Sequence, residues 1–406
     1  MRGRFHVSGA AWLFALLLLL LLVACGGQGT PTLPGEPDPP TQPVQPTFPE
    51  GLEAGTWNII EPGGETICSD GLEYAFYVYP GTINKVVVDF EGGGACWNGV
   101  TCGAPGTFYQ PSVPPLEGRV EGVSGLYERD NPNNPTKDWY HVFVSYCTAD
   151  VHLGDATQTY ATPDGDKTIR HNGQNNVSAV LEWVYEGFSA PEDILVTGCS
   201  AGAYGAALYT PFLAEHYPNA DVTELGDCGA GIIPPSFATA EDGLKRWSIG
   251  AVLPDGVDVS AGIPATFLAD AYVAIGQAHD NVTMAQYNSY LDETQIRFYA
   301  VQAGLDITDE ADAQQAAAAW TSGLVSSLQA INGGLPGQFS SYLSLLDDDN
   351  DLTNGTLHCI LLRPEFYTLN TGGTPFVTWL GSLLNDDAPP PSVTPPTTGL
   401  PFGQGV

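Results

Sequence analysis

The first residues in this chain with the types and spacing for chemistry surround one serine. Asp193 to Cys199 is an apolar run of strand length. It passes through Gly198-Cys199-Ser200-Ala201-Gly202 into small and apolar residues that suit a buried helix. Strand, Gly-x-Ser-x-Gly turn and helix together make a nucleophile elbow, which lifts one hydroxyl above the edge of a sheet. Gly198 and Gly202 carry no side chain, so neighbouring elements can approach the turn closely. The helix starting near Ala201 aims its first amides at negative charge that develops beside Ser200. A serine in this position needs a base, an acid that orients the base, and donors for an oxyanion.

The donors are expected after the run Lys85 to Phe90, which is apolar enough to be a strand inside a sheet. It leads into Glu91-Gly92-Gly93-Gly94-Ala95-Cys96. Three successive glycines after a buried strand let backbone amides approach a ligand, as in a glycine-type oxyanion loop. For the base there are seven histidines. His6 falls in the leader, and His141, His152, His171 and His216 precede or adjoin the elbow. His279 sits in a surface-like turn, whereas His358 lies in a late loop, where chain order places the base. Two acids compete. Asp227 follows the strand after the elbow helix, and Asp292 follows the next one. Asp292 leads, and Asp227 is retained as a possible secondary or structural acid. His152 and Asp155 read as loop contacts.

The positioning elements are predicted as follows. Strands cover Glu73 to Tyr79, Lys85 to Phe90, Tyr140 to Cys147, Asp193 to Cys199, Ala220 to Leu225 and Met284 to Leu291. Helices cover Asn172 to Gly187, the stretch after Ser200 as far as His216, and Glu310 to Ile331. Pro264 to Ile275 and Phe339 to Leu346 stay unassigned between helix and strand. Gly103 to Asp138 holds six prolines and reads as a long insertion that lines a cleft. Buried strands alternate with helices, the nucleophile follows a central strand, and the histidine comes last. The fold class is therefore α/β: an α/β-hydrolase-like, mostly parallel central sheet flanked by helices, with loop insertions.

Residues 1–24 read as a signal peptide, with Arg2 and Arg4 ahead of an apolar run too short for a comfortable membrane span. Leu22-Val23-Ala24-Cys25 looks like the lipobox of bacterial lipoproteins, which makes Cys25 a lipidation site. Residues 25–50 are rich in Pro, Thr, Gln and Gly and read as an extended tether. Residues 51–387 are enough for one large domain, and residues 388–406 form a Pro-rich tail. The net charge is −34, from 46 acidic against 12 basic residues. This balance excludes nucleic acid as a partner and repels a bare polyanion unless cations intervene. It reads best as an adaptation to an acidic or salty exterior. Of 8 cysteines, those after Cys25 should mostly pair in an exported protein.

Four segments resemble the pectin acetylesterase/Notum family. Glu91-Gly92-Gly93-Gly94-Ala95-Cys96 with Thr101-Cys102 is similar to its oxyanion loop. Gly198-Cys199-Ser200-Ala201-Gly202 is similar to its nucleophile motif, Leu291-Asp292-Glu293-Thr294-Gln295-Ile296 to its acid motif, and Leu357-His358-Cys359 to its histidine motif. The resemblance implies Ser200 as nucleophile, Asp292 as acid and His358 as base, with oxyanion amides at Gly93, Gly94 and Ala201. It suggests disulfides Cys96–Cys102 and Cys68–Cys147, and leaves Cys199, Cys228 and Cys359 unassigned. Ala203 stands where the family often has a second glycine, and Trp97 lies slightly beyond the aromatic position of the glycine loop.

The expected function is an exported serine esterase for short acyl groups, plausibly on a polysaccharide. It acts as a monomer without cofactor or metal on an acylated carbohydrate or small ester, and touches membrane only through a lipid at Cys25. A glycan-binding lipoprotein that no longer catalyses is one alternative, its insertion aromatics stacking on sugars. A depolymerase, lipase-type hydrolase or peptidase is another, because a triad alone does not fix the bond cleaved. The acidic run Asp347 to Asp351 lacks the glycine and glutamate of an EF-hand loop and reads as a solvated loop with weak Ca²⁺ binding at most. Three Asn-x-Ser/Thr sequons, at Asn176, Asn281 and Asn354, are discounted because the lipobox points to a bacterium.

Overall fold

The computed structural model describes residues 46–113, 115–116, 119–238, 244–257, 259, 262–345, 356–386 and 388–396. The leader 1–24, Cys25, most of the tether, the acidic run 347–351, Asn354 and the end of the tail lie outside the described residues.

The chain forms β1 (Asn58–Ile60), β2 (Phe76–Tyr79), β3 (Lys85–Phe90), the short α1 (Gly99–Cys102), β4 (Tyr140–Val144), β5 (Ala156–Thr162), β6 (Gly165–His171), α2 (Gly173–Gly187), β7 (Asp193–Cys199), α3 (Ala201–His216), β8 (Asp221–Asp227) and the short α4 (Pro235–Ala238). It continues through α5 (Phe267–Ala278), β9 (Val282–Ser289), α6 (Glu293–Ala303), α7 (Glu310–Gly334), β10 (Phe339–Ser344), β11 (Asn370–Thr371), β12 (Thr374–Pro375) and α8 (Phe376–Asn385). One sheet runs in the order β1-β2-β4-β3-β7-β8-β9-β10. The strands from β4 to β10 pair in parallel, and β1 and β2 close one edge antiparallel. This is the predicted α/β architecture.

Side chains on a strand alternate between faces, so a strand buried on both sides must be apolar at every position. On β3, Val86, Val88 and Phe90 enter one apolar cluster while Val87 enters the other. On β7, Ile194 and Val196 face the first cluster and Leu195 the second. Helices α2, α3, α5 and α7 cover the first face, with Val177, Val180 and Leu181 of α2 fully packed as the spacing predicts. Helix α3 is apolar nearly all round because it is buried from Ala201 to Ala214 almost without break.

The second face is covered by a helix the sequence reading did not assign. Phe376, Trp379, Leu380, Leu383 and Leu384 of α8 fill the second cluster. They recur at helical spacing (i, i+3, i+4, i+7, i+8), so the signal was present. Helix α6, which starts directly after Asp292, and the β5–β6 hairpin were also unassigned; Pro163 and Asp164 form the turn that closes that hairpin. The two ambiguous segments resolve into helix α5 and strand β10. The Pro-rich segment after 388 is partly docked. Val393 pairs in parallel with Tyr342 of β10, donating to the Ser341 carbonyl at 2.7 Å and accepting from Leu343 N at 2.8 Å. Docking occupies the sheet edge that β10 would otherwise expose.

Candidate active site

Ser200 stands between β7 and α3 with φ +58° and ψ −117°, a strained backbone for a side chain larger than glycine's. Its amide donates to the Asp227 carbonyl at 2.7 Å, which fixes the turn against the end of β8. The two motif glycines are there for space. A Cβ on Gly202 would collide with the Phe90 carbonyl, and one on Gly198 with the Gly202 carbonyl. Ala201 is the first residue of α3, so its N–H is among those with no intrahelical acceptor.

The glycine loop leaves the end of β3 alongside this turn. Gly93 and Gly94 have φ of +151° and +73°, and only the second lies deep in the left-handed region that favours glycine. The loop is held from several sides. Gly94 O accepts from the Tyr146 hydroxyl at 2.9 Å, Ala95 N donates to Phe108 O at 2.7 Å, and the His152 ring donates to Glu91 O at 2.8 Å. His152 is thus a loop contact, as its position suggested. Glu91 forms a two-pronged ion pair with Arg119 of the Pro-rich insertion, and its Oε2 accepts from Tyr146 N at 2.8 Å. Burial pushes the Glu91 carboxyl up, and Arg119 works in the opposite direction. The Cys96–Cys102 disulfide closes the far end of the loop, and Cys68–Cys147 ties the segment before β2 to the end of β4.

His358 and Asp292 meet. His358 Nδ1 donates to Asp292 Oδ2 at 2.7 Å, with side chains 15% and 0% exposed. Asp292 also caps α6, its Oδ1 accepting from Gln295 N at 2.8 Å and its Oδ2 from Gln295 Nε2 at 3.1 Å. The two loops are joined through backbone: Thr356 N donates to Leu291 O at 3.0 Å and Glu293 N to Thr356 O at 3.2 Å. His358 Nε2 has no hydrogen-bond partner among the described residues. Burial alone would lower the His358 pKa. The charge and hydrogen bond of Asp292, with the charge of Asp227, outweigh it and leave the net shift upward.

Asp227 does not bond the His358 ring. Its carboxyl accepts from Ile360 N at 2.9 Å and Leu361 N at 2.9 Å, which cradles the loop just past the histidine. Burial raises its pKa to about 6, against the lowering pull of those amides. Of the two acids open in the sequence, Asp292 pairs with the histidine and Asp227 supports its loop. A third disulfide, Cys199–Cys359, links the residue before Ser200 to the residue after His358. Cys228 is free and buried. Burial, then the charges of Asp292 and Asp227, push its thiol well up, which disfavours a nucleophilic thiolate. The remaining described histidines stand elsewhere: His141 on buried Asp89, His171 on Tyr160, His216 stacked on Tyr185 and His279 near Glu215.

Ser200 and His358 line two adjoining spaces. One is an apolar cavity of about 90 Å³, walled by Trp97, Leu153, Phe237, Trp247, Phe298 and Trp320 among others. The other is an open groove of about 670 Å³ beside the glycine loop, with Arg119, Arg297 and Arg363 on its walls.

Parallel sheet, elbow and late histidine together define a protein of the α/β-hydrolase fold. Residues 58–241 match the pectinacetylesterase family model. Pectin acetylesterase 11 of Arabidopsis thaliana is 27% identical over 169 residues, which cover 40% of this chain and 42% of that protein. Pectin acetylesterase 7 of the same plant is 25% identical over the same length and the same shares. The chain thus spans about two-fifths of the length of the curated relatives it matches. Among solved structures, that of the Wnt deacylase Notum from Drosophila aligns with TM-score 0.55 and 17% identity, covering 78% of this chain and 89% of that one. The chain is thus similar to pectin acetylesterases over residues 58–241 and shares its fold with Notum. The family match includes the glycine loop and Ser200 but stops before Asp292 and His358, whose pairing is seen in this chain's own geometry.

Proposed function

We propose that the chain is a serine carboxylic ester hydrolase that removes short acyl groups from a carbohydrate. The observation that carries this is the state of His358: Nδ1 is held by Asp292 at 2.7 Å, and Nε2 is unpartnered on the same cavity wall as Ser200. A histidine fixed in that tautomer has its lone pair on Nε2, ready to accept the Ser200 proton. Ser200 Oγ attacks the ester carbonyl. The amides of Gly93, Gly94 and Ala201 take the charge on the carbonyl oxygen, and His358 returns its proton to the leaving alcohol. Water then repeats the sequence on the acyl-enzyme and releases the acid. Asp292 stabilises the imidazolium and keeps its charge throughout.

The two spaces divide the substrate. The smaller, apolar cavity suits the acyl chain and the wider, more polar groove the alcohol. A dry apolar cavity of about 150 Å³ holds a benzene ring, so about 90 Å³ has room for about four carbons by the same measure. Arg297 and Arg363 on the groove wall offer local positive charge within a strongly acidic chain. A substrate with carboxylates is therefore compatible with the site despite the net charge.

A p-nitrophenyl ester series, run beside acetylated xylan and acetylated pectin, tests this reading. The expected optimum is at acetate to butyrate, with a steep fall beyond hexanoate. Glycan binding without any ester hydrolysis would favour the inactive lectin-like alternative. Three disulfides among the described residues fit an oxidising compartment outside the cytoplasm. The leader, a lipid anchor at Cys25, the tether over residues 25–50, a single catalytic domain over residues 51–387, monomeric action and the lack of a nucleic-acid partner belong to the same proposal.

A further inference from the structure

Cys228 is the described cysteine that no disulfide uses, and the mechanism above gives it no task. It follows β8 in a left-handed conformation at φ +52°, and its amide donates to Tyr287 O at 2.8 Å. Its Sγ, a carboxylate oxygen of Asp292 and a ring nitrogen of His358 all lie within 4.8 Å of one another. We propose that Cys228, Asp292 and His358 form a three-ligand site for a borderline-soft divalent cation of the Zn²⁺ class, and that filling it switches the enzyme off. The inhibitory part of this rests on the hydrolase reading; the metal site itself does not.

Tetrahedral Zn²⁺ holds sulfur at about 2.3 Å and nitrogen or oxygen at about 2.0–2.2 Å, which sets its ligand atoms roughly 3.3–3.7 Å apart. Atoms already inside 4.8 Å reach those separations by shifts of about 1 Å, and the 2.7 Å His358–Asp292 contact opens by a similar amount. A mixed S, N, O set favours Zn²⁺ over Mg²⁺ or Ca²⁺, which demand six or more oxygens. Access exists, because Cys228 and His358 both border the cavity beside Ser200. Binding releases the Cys228 thiol proton to water. If the cation takes Nε2, that lone pair is consumed. If it takes Nδ1, the ring proton moves to Nε2. Either way His358 can no longer accept the Ser200 proton.

Hydrolysis of p-nitrophenyl butyrate by the EDTA-stripped full chain is followed against Zn²⁺, with Mg²⁺ as control. Wild type, Cys228→Ala and Cys228→Ser are each normalised to their own metal-free rate. Co²⁺ binding is read separately from thiolate-to-cobalt charge-transfer absorption, including in Ser200→Ala. Expected are micromolar half-inhibition of the wild type, at least a roughly tenfold higher value in both Cys228 variants, and cobalt–thiolate absorption in wild type and Ser200→Ala but not in Cys228→Ala. Equal inhibition of wild type and Cys228→Ala overturns the site, as does indifference to millimolar Zn²⁺ without Co²⁺ absorption. Absorption in a chain that hydrolyses nothing sustains the site and sinks the hydrolase reading instead.

Discussion

Replacing Asp292 and Asp227 each by asparagine separates the two acids. At position 292, the Gln295 backbone N–H donates to Oδ1 at 2.8 Å and comes from a fixed helix turn. An asparagine therefore keeps its carbonyl oxygen there and turns its NH₂ toward His358 Nδ1. That NH₂ donates, so the imidazole must carry its proton on Nε2 and cannot deprotonate Ser200. The wrong tautomer costs about 10⁴ in kcat in a triad, or about 5.4 kcal/mol at 1.36 kcal/mol per tenfold. KM should change little, because Asp292 is fully buried and lines neither space. At position 227 the lost groups are acceptors for Ile360 N and Leu361 N. Leaving one buried amide unpaired costs about 1–3 kcal/mol, so Asp227→Asn should lower the melting temperature while kcat falls by less than about tenfold. The assay is kcat and KM on p-nitrophenyl butyrate, with a thermal melt of each variant. A folded Asp292→Asn with more than a tenth of wild-type kcat would refute the assignment, as would a folded Asp227→Asn that loses more than Asp292→Asn.

Other perturbations follow from the same geometry. Gly94→Ala places a Cβ against the Phe108 carbonyl at φ +73°, and should cut kcat by about 10²–10³ through the oxyanion loop; unchanged kcat would remove this loop from the mechanism. Cys199→Ala with Cys359→Ala opens a loop of sequence separation 160, which chain entropy values at up to about 5 kcal/mol. A lower melting temperature and a reduced kcat are expected, since the bridge flanks both Ser200 and His358; an unaltered melt would show that it holds nothing. The His358 pKa is raised and the base must be neutral to act, so kcat/KM should climb with pH and reach half its maximum above pH 6.5. A midpoint below pH 6 would show that Asp292 and Asp227 do not dominate its surroundings.

Much of the site is local and hence legible in the chain. Ser200 lies inside a five-residue pattern whose glycines answer clashes with Phe90 and Gly202 carbonyls. The glycine loop follows β3 directly. His358 could be reached by chain order, whereas Asp292 led over Asp227 only through fold-level analogy and the family resemblance. Asp227 and Asp292 both follow parallel strands at the same end of the sheet. What divides them is the Thr356–Leu291 and Glu293–Thr356 backbone bonds between distant loops, and no local pattern encodes those. The pairing of Cys199 with Cys359 is hidden for the same reason. The β5–β6 hairpin was missed because Ala156-Thr157-Gln158-Thr159-Tyr160-Ala161-Thr162 is mostly polar, with Tyr160 its one fully buried residue.

The central claim is that Ser200 is the nucleophile activated by His358, and covalent capture tests it most directly. The wild type, Ser200→Ala and His358→Ala are treated with a fluorophosphonate, and the modified residue is mapped by mass spectrometry of the peptides. One adduct on Ser200 is expected in the wild type, none in Ser200→Ala and at least about 10²-fold slower labelling in His358→Ala. Labelling elsewhere with hydrolysis intact in Ser200→Ala would contradict the account.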